Sequence, residues 1–481
     1  MMHNHVNRDG LFVDPLITPT TAPTFQRDTS FAGTISGNVY ASPLYVENGA
    51  SGKGTFYQAT ENGTIYALDE TTGAVVWSKN VGPSAKSTGA GCGNISPIGI
   101  TGTPAIDLDT RLIVFDSAVD TADAGVISTH MIYGLSIDTG AIVWSVDVST
   151  LKDPTGLTFT PQTQNQRAAV LIVNGIAYVA YAGHYGDCGS YHGWVVGVPL
   201  SGKGAKAWAT QVAGAGIWGP GGPASDGESI YVTTGNGFNS AATYAESEGI
   251  IRLDPGPTFT MAVDDYFAPY NWSMLDDDDL DLSGSGPLII DAPSITPSTL
   301  AMAAGKDGYL YLTNRMSLGG VATMAQRANV GALQVQTGEL SNAGAWATIG
   351  GTTYVVVRPN GENPAMGCPK GMSGDLVAVK LDPTAADKMT VVWCAASLGV
   401  GSPSITSPDG TTSALVWVFA ADPGSRAQLF AWDLATGSPV FTGGSATTDA
   451  AQGVRRFTAP IAVHGRVFVA GDNQVFAYKA K

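Results

Sequence analysis

Groups able to do chemistry gather at a few points of the chain. One is the run His184-Tyr185-Gly186-Asp187-Cys188-Gly189-Ser190-Tyr191-His192. Imidazoles, phenols, a carboxylate and a thiol in a glycine-rich loop can move protons or hold a metal. They can equally be loop histidines held by hydrogen bonds, and spacing alone does not separate these readings. A second point is Asp276-Asp277-Asp278-Asp279 with Asp281. Asp276 to Asp278 read as a solvated surface loop, whereas a functional role stays open for Asp279 and Asp281. An EF-hand is excluded, because Leu280 breaks the spacing and no Gly follows at the turn position. Cys92, Cys188, Cys368 and Cys394 include no Cys-x-x-Cys pair, which argues against structural zinc. Their even number suggests two disulfides and an exported protein; buried free thiols are the alternative. No Gly-x-Ser-x-Gly elbow or phosphate loop is present.

Short strands and tight turns must position these groups. Of 481 residues, 61 are Gly and only 13% are charged. This composition argues against coiled coil and disorder. The net charge of −16, without a Lys/Arg cluster, excludes nucleic acid and anionic membrane as expected partners. No apolar run is long enough for a transmembrane helix. The start, Met1-Met2-His3-Asn4-His5-Val6, lacks the charged and apolar regions of a signal peptide, which leaves open a mature form.

A repeat organises the chain. Gly63-Thr64-Ile65-Tyr66-Ala67-Leu68-Asp69-Glu70-Thr71-Thr72-Gly73-Ala74-Val75-Val76-Trp77 reads strand, turn, strand. It recurs at Ile132 to Trp144 and Leu429 to Phe441, with weaker copies between and a last copy at Val475 to Tyr478. Taking the Ala67 position as marker, copies fall at 67, 134, 197, 252, 312, 378, 431 and 477, spaced 46 to 67 residues apart. Further strand-like runs precede each copy, making about four strands per unit. The expected fold is all-β: a single eight-bladed β-propeller of four-stranded blades spanning residues 1–481. The last copy stops before a fourth strand can form. The segment before Ser42 must therefore close the ring, with residues 1–30 as extension and closure segment and Phe31 to Ile35 a candidate for the strand. Trp77, Trp144, Trp208 and Trp393 occupy the repeat's Trp position and are structural, whereas Trp218 lies outside it. Cys368 and Cys394 flank the sixth repeat and are expected to staple it.

The unit Ala67-x-Asp69-x-x-Thr72-Gly73-x-x-x-Trp77 resembles the repeat of quinoprotein dehydrogenases, eight-bladed propellers that hold pyrroloquinoline quinone (PQQ) and Ca²⁺ on the axis. The resemblance covers nearly the whole chain, but cofactor-free assembly factors share the repeat. It implies axial roles. Trp218, in Gly216-Ile217-Trp218-Gly219-Pro220, stands where the family has the indole under the quinone. Asn236, in Thr234-Gly235-Asn236-Gly237, stands where an amide oxygen ligates Ca²⁺. Lys306, in Gly305-Lys306-Asp307-Gly308, stands where a cation polarises the quinone carbonyls. Asp279 and Asp281 share the place of the carboxylate base, and Asp281 counts also among the metal ligands. Two departures matter. Gly91-Cys92-Gly93-Asn94 has one Cys where the family has a vicinal pair, which suggests Cys92–Cys188 as a bridge between blades close to the cofactor's place. Asp187 stands where the family has a glutamate ligand.

The resemblance implies a quinoprotein-like oxidoreductase that oxidises an alcohol or aldehyde. It would use PQQ and Ca²⁺ and pass electrons to a separate acceptor, since no Cys-x-x-Cys-His haem motif is present. Two alternatives stand beside it. One is a cofactor-free propeller that binds a ligand or protein at its axial mouth. The other is a lyase or hydrolase using His184 and His192. The expected location is secreted or periplasmic.

Overall fold

Alternating apolar residues in Thr64–Asp69, Leu429–Asp433 and Gln474–Ala480 make each the third strand of an antiparallel sheet, and all eight repeat markers lie in such third strands. The computed structural model describes residues 1–238, 243–359, 365–397, 399, 401–421 and 427–481. The strands form eight sheets, six of four strands and two with a fifth, arranged as the blades of a β-propeller. The first blade runs Leu44–Val46, Thr55–Thr60, Thr64–Asp69 and Val75–Asn80 from axis to rim.

The apolar core is divided among the seams between blades. Phe56 and Leu68 of the first blade pack on Phe468 and Ala477 of the eighth, for example, and Ile65 and Tyr57 pack on Phe115 and Leu135 of the second. The repeat's Trp and Gly bind neighbouring blades. Trp77 Nε1 donates to the carbonyl of Ile137 in the second blade at 3.0 Å, and its ring lies against Gly140 (φ +71°). A Cβ there would stand 2.6 Å from the indole, so the position excludes any side chain. Trp144 repeats the contact on Leu200 O and Gly202, and Trp393 repeats it on Leu434 O and Gly437.

The N-terminal residues do two jobs. Phe25–Arg27 pairs antiparallel with Gln474–Ala480 and completes the eighth blade. The closing strand thus precedes the Phe31 to Ile35 stretch, whose Thr34 adds only an isolated bridge to Gln474. The reason is local: Phe31 and Ile35 turn inward to the core between the first and eighth blades. Earlier still, residues 6–10 line the channel. Backbone N–H groups of Ser225, Ile289, Trp346 and Ile405 donate to the carbonyls of Val6, Asn7, Asp9 and Gly10. The inner strand edges of four blades are thereby paired rather than bare. Arg8 is 0% exposed and donates to the carbonyls of Met2, Ala169, Val170 and Pro223.

Candidate axial site

Strand direction alternates within each blade. Loops between second and third strands therefore emerge on the same face as loops between blades. Trp218 follows the third blade's outer strand, Lys206–Ala209. Asn236 follows Ile230–Thr233 in the fourth blade, and Asp279 and Asp281 lead into the fifth blade after the short helix Trp272–Asp277. Lys306 sits in the turn between Thr299–Ala304 and Tyr309–Asn314, and the His184 to His192 loop joins Ile176–Tyr181 to Trp194–Pro199. All of these reach one face.

There they meet. Lys306 Nζ lies 2.5 Å from Asp281 Oδ2, 3.1 Å from Asp279 Oδ1 and 5.5 Å from the centre of the Trp218 ring. Asp281 Oδ1 accepts the Asn236 N–H at 2.7 Å. A Cβ on Gly235 would stand 2.1 Å from that oxygen, which accounts for glycine in Gly235-Asn236-Gly237. Asp281 is 5% exposed at its side chain and Asp279 61%. Burial opposes the Lys306 charge, but the two carboxylates together raise its pKa above the usual lysine value. The Asp279 carboxyl is pushed up by partial burial and by Asp281 beside it. Asp187 and Tyr191 face the same group: the Tyr191 hydroxyl donates to Asp187 Oδ1 at 2.7 Å, and burial with the charges of Asp187, Asp281 and Asp279 pushes the phenol far above its ordinary value.

The chain supports this mouth with backbone held in the left-handed region at Asp187, Ala215, Glu246, Glu248 and Asp279, all non-glycine.

The Cys92–Cys188 disulfide spans a sequence separation of 96 residues and ties the loop before the second blade to the His184 to His192 loop. Cys368–Cys394 staples the sixth blade. His184 is buried, and burial with the neighbouring His130 lowers its pKa to about 4, so it is neutral at physiological pH. His192 Nδ1 donates to the Thr210 carbonyl at 2.7 Å. Among the described residues, no hydrogen bond or ion pair joins either histidine to Lys306, Asp279 or Asp281.

Several participants escape sequence reasoning. Asp276 is buried, not a solvated surface group: it accepts the Gly237 N–H at 2.7 Å and the Ser247 hydroxyl at 2.9 Å. The amides of the Gly-Asn-Gly element thus bind two carboxylates. Glu248 is 0% exposed; its Oε2 accepts the Leu282 N–H at 2.6 Å while Oε1 has no partner. Burial, and next the nearby Asp281, raise its pKa well above the usual carboxyl range. Arg167, from the loop between the second and third blades, stacks on Trp218 and Phe457 at 4.6 Å from each ring centre. Glu248 stands beside a β-rich run and Arg167 in an irregular loop. Neither position carries a pattern a sequence reader could use.

The residues suit a planar, carbonyl-bearing group in part: a flat indole and a cation lie side by side. They do not suit calcium. Both Asp281 oxygens are engaged and Asp187 Oδ1 takes the Tyr191 hydroxyl. Among the described residues, no group of three or more His, Cys, Asp or Glu side chains is arranged to hold a metal ion.

Residues 40–164 match a family profile described as outer membrane protein assembly factor BamB. No curated protein matches the chain in sequence. The quinohemoprotein alcohol dehydrogenase of Comamonas testosteroni superposes with a TM-score of 0.66 at 14% identity, over 98% of this chain and 79% of its own. A europium-containing methanol dehydrogenase gives 0.65 at 13% identity, over 98% and 88%. BamB from Moraxella catarrhalis gives 0.52 at 15% identity, over 92% and 99%. At such identities the likeness is one of fold. The fold is an eight-bladed β-propeller, and the solved structures it resembles include quinoprotein alcohol and methanol dehydrogenases as well as BamB.

Proposed function

We propose that the axial mouth is the active site of a quinoprotein-like oxidoreductase acting on an alcohol or aldehyde. The observation that carries this reading is the meeting of Trp218, Lys306, Asp279, Asp281 and the Asn236 backbone at one place. A quinone bound there would supply a two-electron acceptor. Trp218 offers it a flat face. The Lys306 ammonium is held where negative charge on a carbonyl oxygen needs a fixed cation. Asp279, the exposed carboxylate, takes the substrate hydroxyl proton. Asp281, with both oxygens engaged, positions Lys306. His184 and His192, hydrogen-bonded to backbone or buried, shape the loop. No step is assigned to a metal. Maturation in an oxidising compartment, secreted or periplasmic, accommodates the two disulfides.

A second reading is favoured by one observation. Lys306 is already neutralised by two carboxylates, and a propeller that binds a ligand or protein without cofactor needs no free cation there.

PQQ titration, followed by absorbance and tryptophan fluorescence with and without Ca²⁺, separates the two. Saturable binding that weakens in Trp218→Leu and does not require Ca²⁺ supports the quinone reading. No binding at millimolar PQQ overturns it in favour of the cofactor-free propeller.

A further inference from the structure

Beside Trp218 the channel holds a small cavity of ≈ 10 Å³, lined by Arg167, Tyr40, Thr103, Phe457, Pro220 and Met2 among others. Such a space admits about one water-sized occupant. We propose that this chamber is a binding site for a single monoatomic anion, chloride or another halide, held by Arg167, Tyr40 and Thr103.

The polar groups are donors without acceptors. Arg167 donates its Nε–H to the Trp218 carbonyl at 3.3 Å, and among the described residues its guanidinium makes no ion pair. Four of its five N–H groups remain. Tyr40 Oη accepts from Arg455 Nη1 at 2.9 Å, so the phenol proton is left to donate. Thr103 Oγ1 accepts the Ser42 N–H at 2.9 Å, and its proton is likewise left over. Thr101 is spent on the buried Glu61, to which it donates at 3.1 Å.

A cation partly withdrawn from bulk water is favoured by a nearby counter-charge. The chain has 40 acidic residues against 24 Lys and Arg, yet among the described residues none forms an ion pair with this guanidinium, which feels Asp281 only through space. Burial, and then the like charge of Arg456, lower the Arg167 pKa to about 10 against the smaller opposing effect of Asp281, and both favour an anion nearby. Met2, Pro220 and Phe457 close the remaining walls with apolar atoms, which suits a weakly hydrated ion better than a carboxylate or phosphate. The ion would hold Arg167 between Trp218 and Phe457 and so fix the indole.

The test compares melting temperature in sodium chloride and in sodium gluconate at equal ionic strength. Crystals grown in sodium bromide are then searched for an anomalous peak. The expected result is a saturable stabilisation by chloride and one bromide peak in the chamber. Tyr40→Phe keeps the ring and removes one donor; it should raise the half-saturating chloride concentration by about tenfold. Arg167→Gln should be indifferent to the choice of salt. Equal melting temperatures in the two salts, an empty chamber in bromide crystals, or unchanged half-saturation in Tyr40→Phe would each overturn the proposal. The Tyr40 variant serves if Arg167→Gln fails to fold.

Discussion

At the scale of single residues, the mouth is built on charges that depend on each other. Lys306 sits 12% exposed between Asp281 and Asp279, so removing it leaves a buried carboxylate uncompensated. Lys306→Met should cost about 3–5 kcal/mol in denaturant unfolding, and Lys306→Arg should recover most of it. Loss of activity in the Met variant is therefore informative only at temperatures where it stays folded. Glu61 offers a pH test. It is 0% exposed, and burial raises its pKa from 4.5 to about 7 although Gly99 N–H and Thr101 hydrogen-bond it. A carboxyl whose folded pKa is raised binds its proton more tightly in the native state. Its contribution is complete below pH ~4.5 and is lost as pH rises through ~7. Glu61→Gln should match the parent at pH ~4 and gain up to about 3 kcal/mol over it at pH ~8, as read by urea unfolding at both values. Trp218, Lys306 and Asp281 were legible because each stands in a short motif. Arg167 was not, because its importance arises from rings at Trp218 and Phe457, far apart in the chain.

At the scale of elements, the eighth blade closes the ring, packing on the seventh blade through Phe25 of its outer strand and on the first blade at the seam that follows. Phe25 is 3% exposed and lies 5.2 Å from the Trp417 ring and 6.4 Å from Phe441. Phe25→Ala should lower stability by about 3–5 kcal/mol and render the N-terminal strand the first site of limited proteolysis. Across the seam His464 pairs with Glu70 at 2.7 Å and Glu47 at 3.2 Å, and the Glu70 hydrogen bond raises its pKa. This stabilisation is complete below the unfolded value of 6.5 and fades as pH rises through the folded one. The pair is half-exposed, so its worth is at most about 1 kcal/mol. His464→Gln should abolish that part of the difference in melting temperature between pH 5.5 and 8. Strand content and blade number followed from the repeat, whereas residues 6–10 carry no repeat. Their place in the channel comes from backbone groups that every sequence has.

At the scale of the whole molecule, the disulfides differ in what they hold. Cys368–Cys394 stays within one blade, while Cys92–Cys188 joins loops of two. The longer loop is worth up to ~4–5 kcal/mol in the chain-entropy picture. Because the cores at the blade seams lie elsewhere, the Cys92→Ser/Cys188→Ser pair should still fold, with the loss confined to stability and to hydrogen exchange in the 182–193 loop. Global loss of structure by circular dichroism would contradict this.

Ring closure also sets a clock. Phe25–Arg27 is synthesised about 450 residues before Gln474–Ala480, the strand it pairs with. At ~5–20 residues per second this is a wait of roughly 20 to 90 seconds. Throughout that time a strand template stands open at the ribosome, and a neighbouring nascent chain could pair with it. The segment answers with brevity and polarity. It is three residues long, and Gln26 and Arg27 accompany its single ring. A strand so short binds too weakly on its own to capture a stranger, and gains its hold only when the eighth blade arrives with Trp417 and Phe441 already in place beside it.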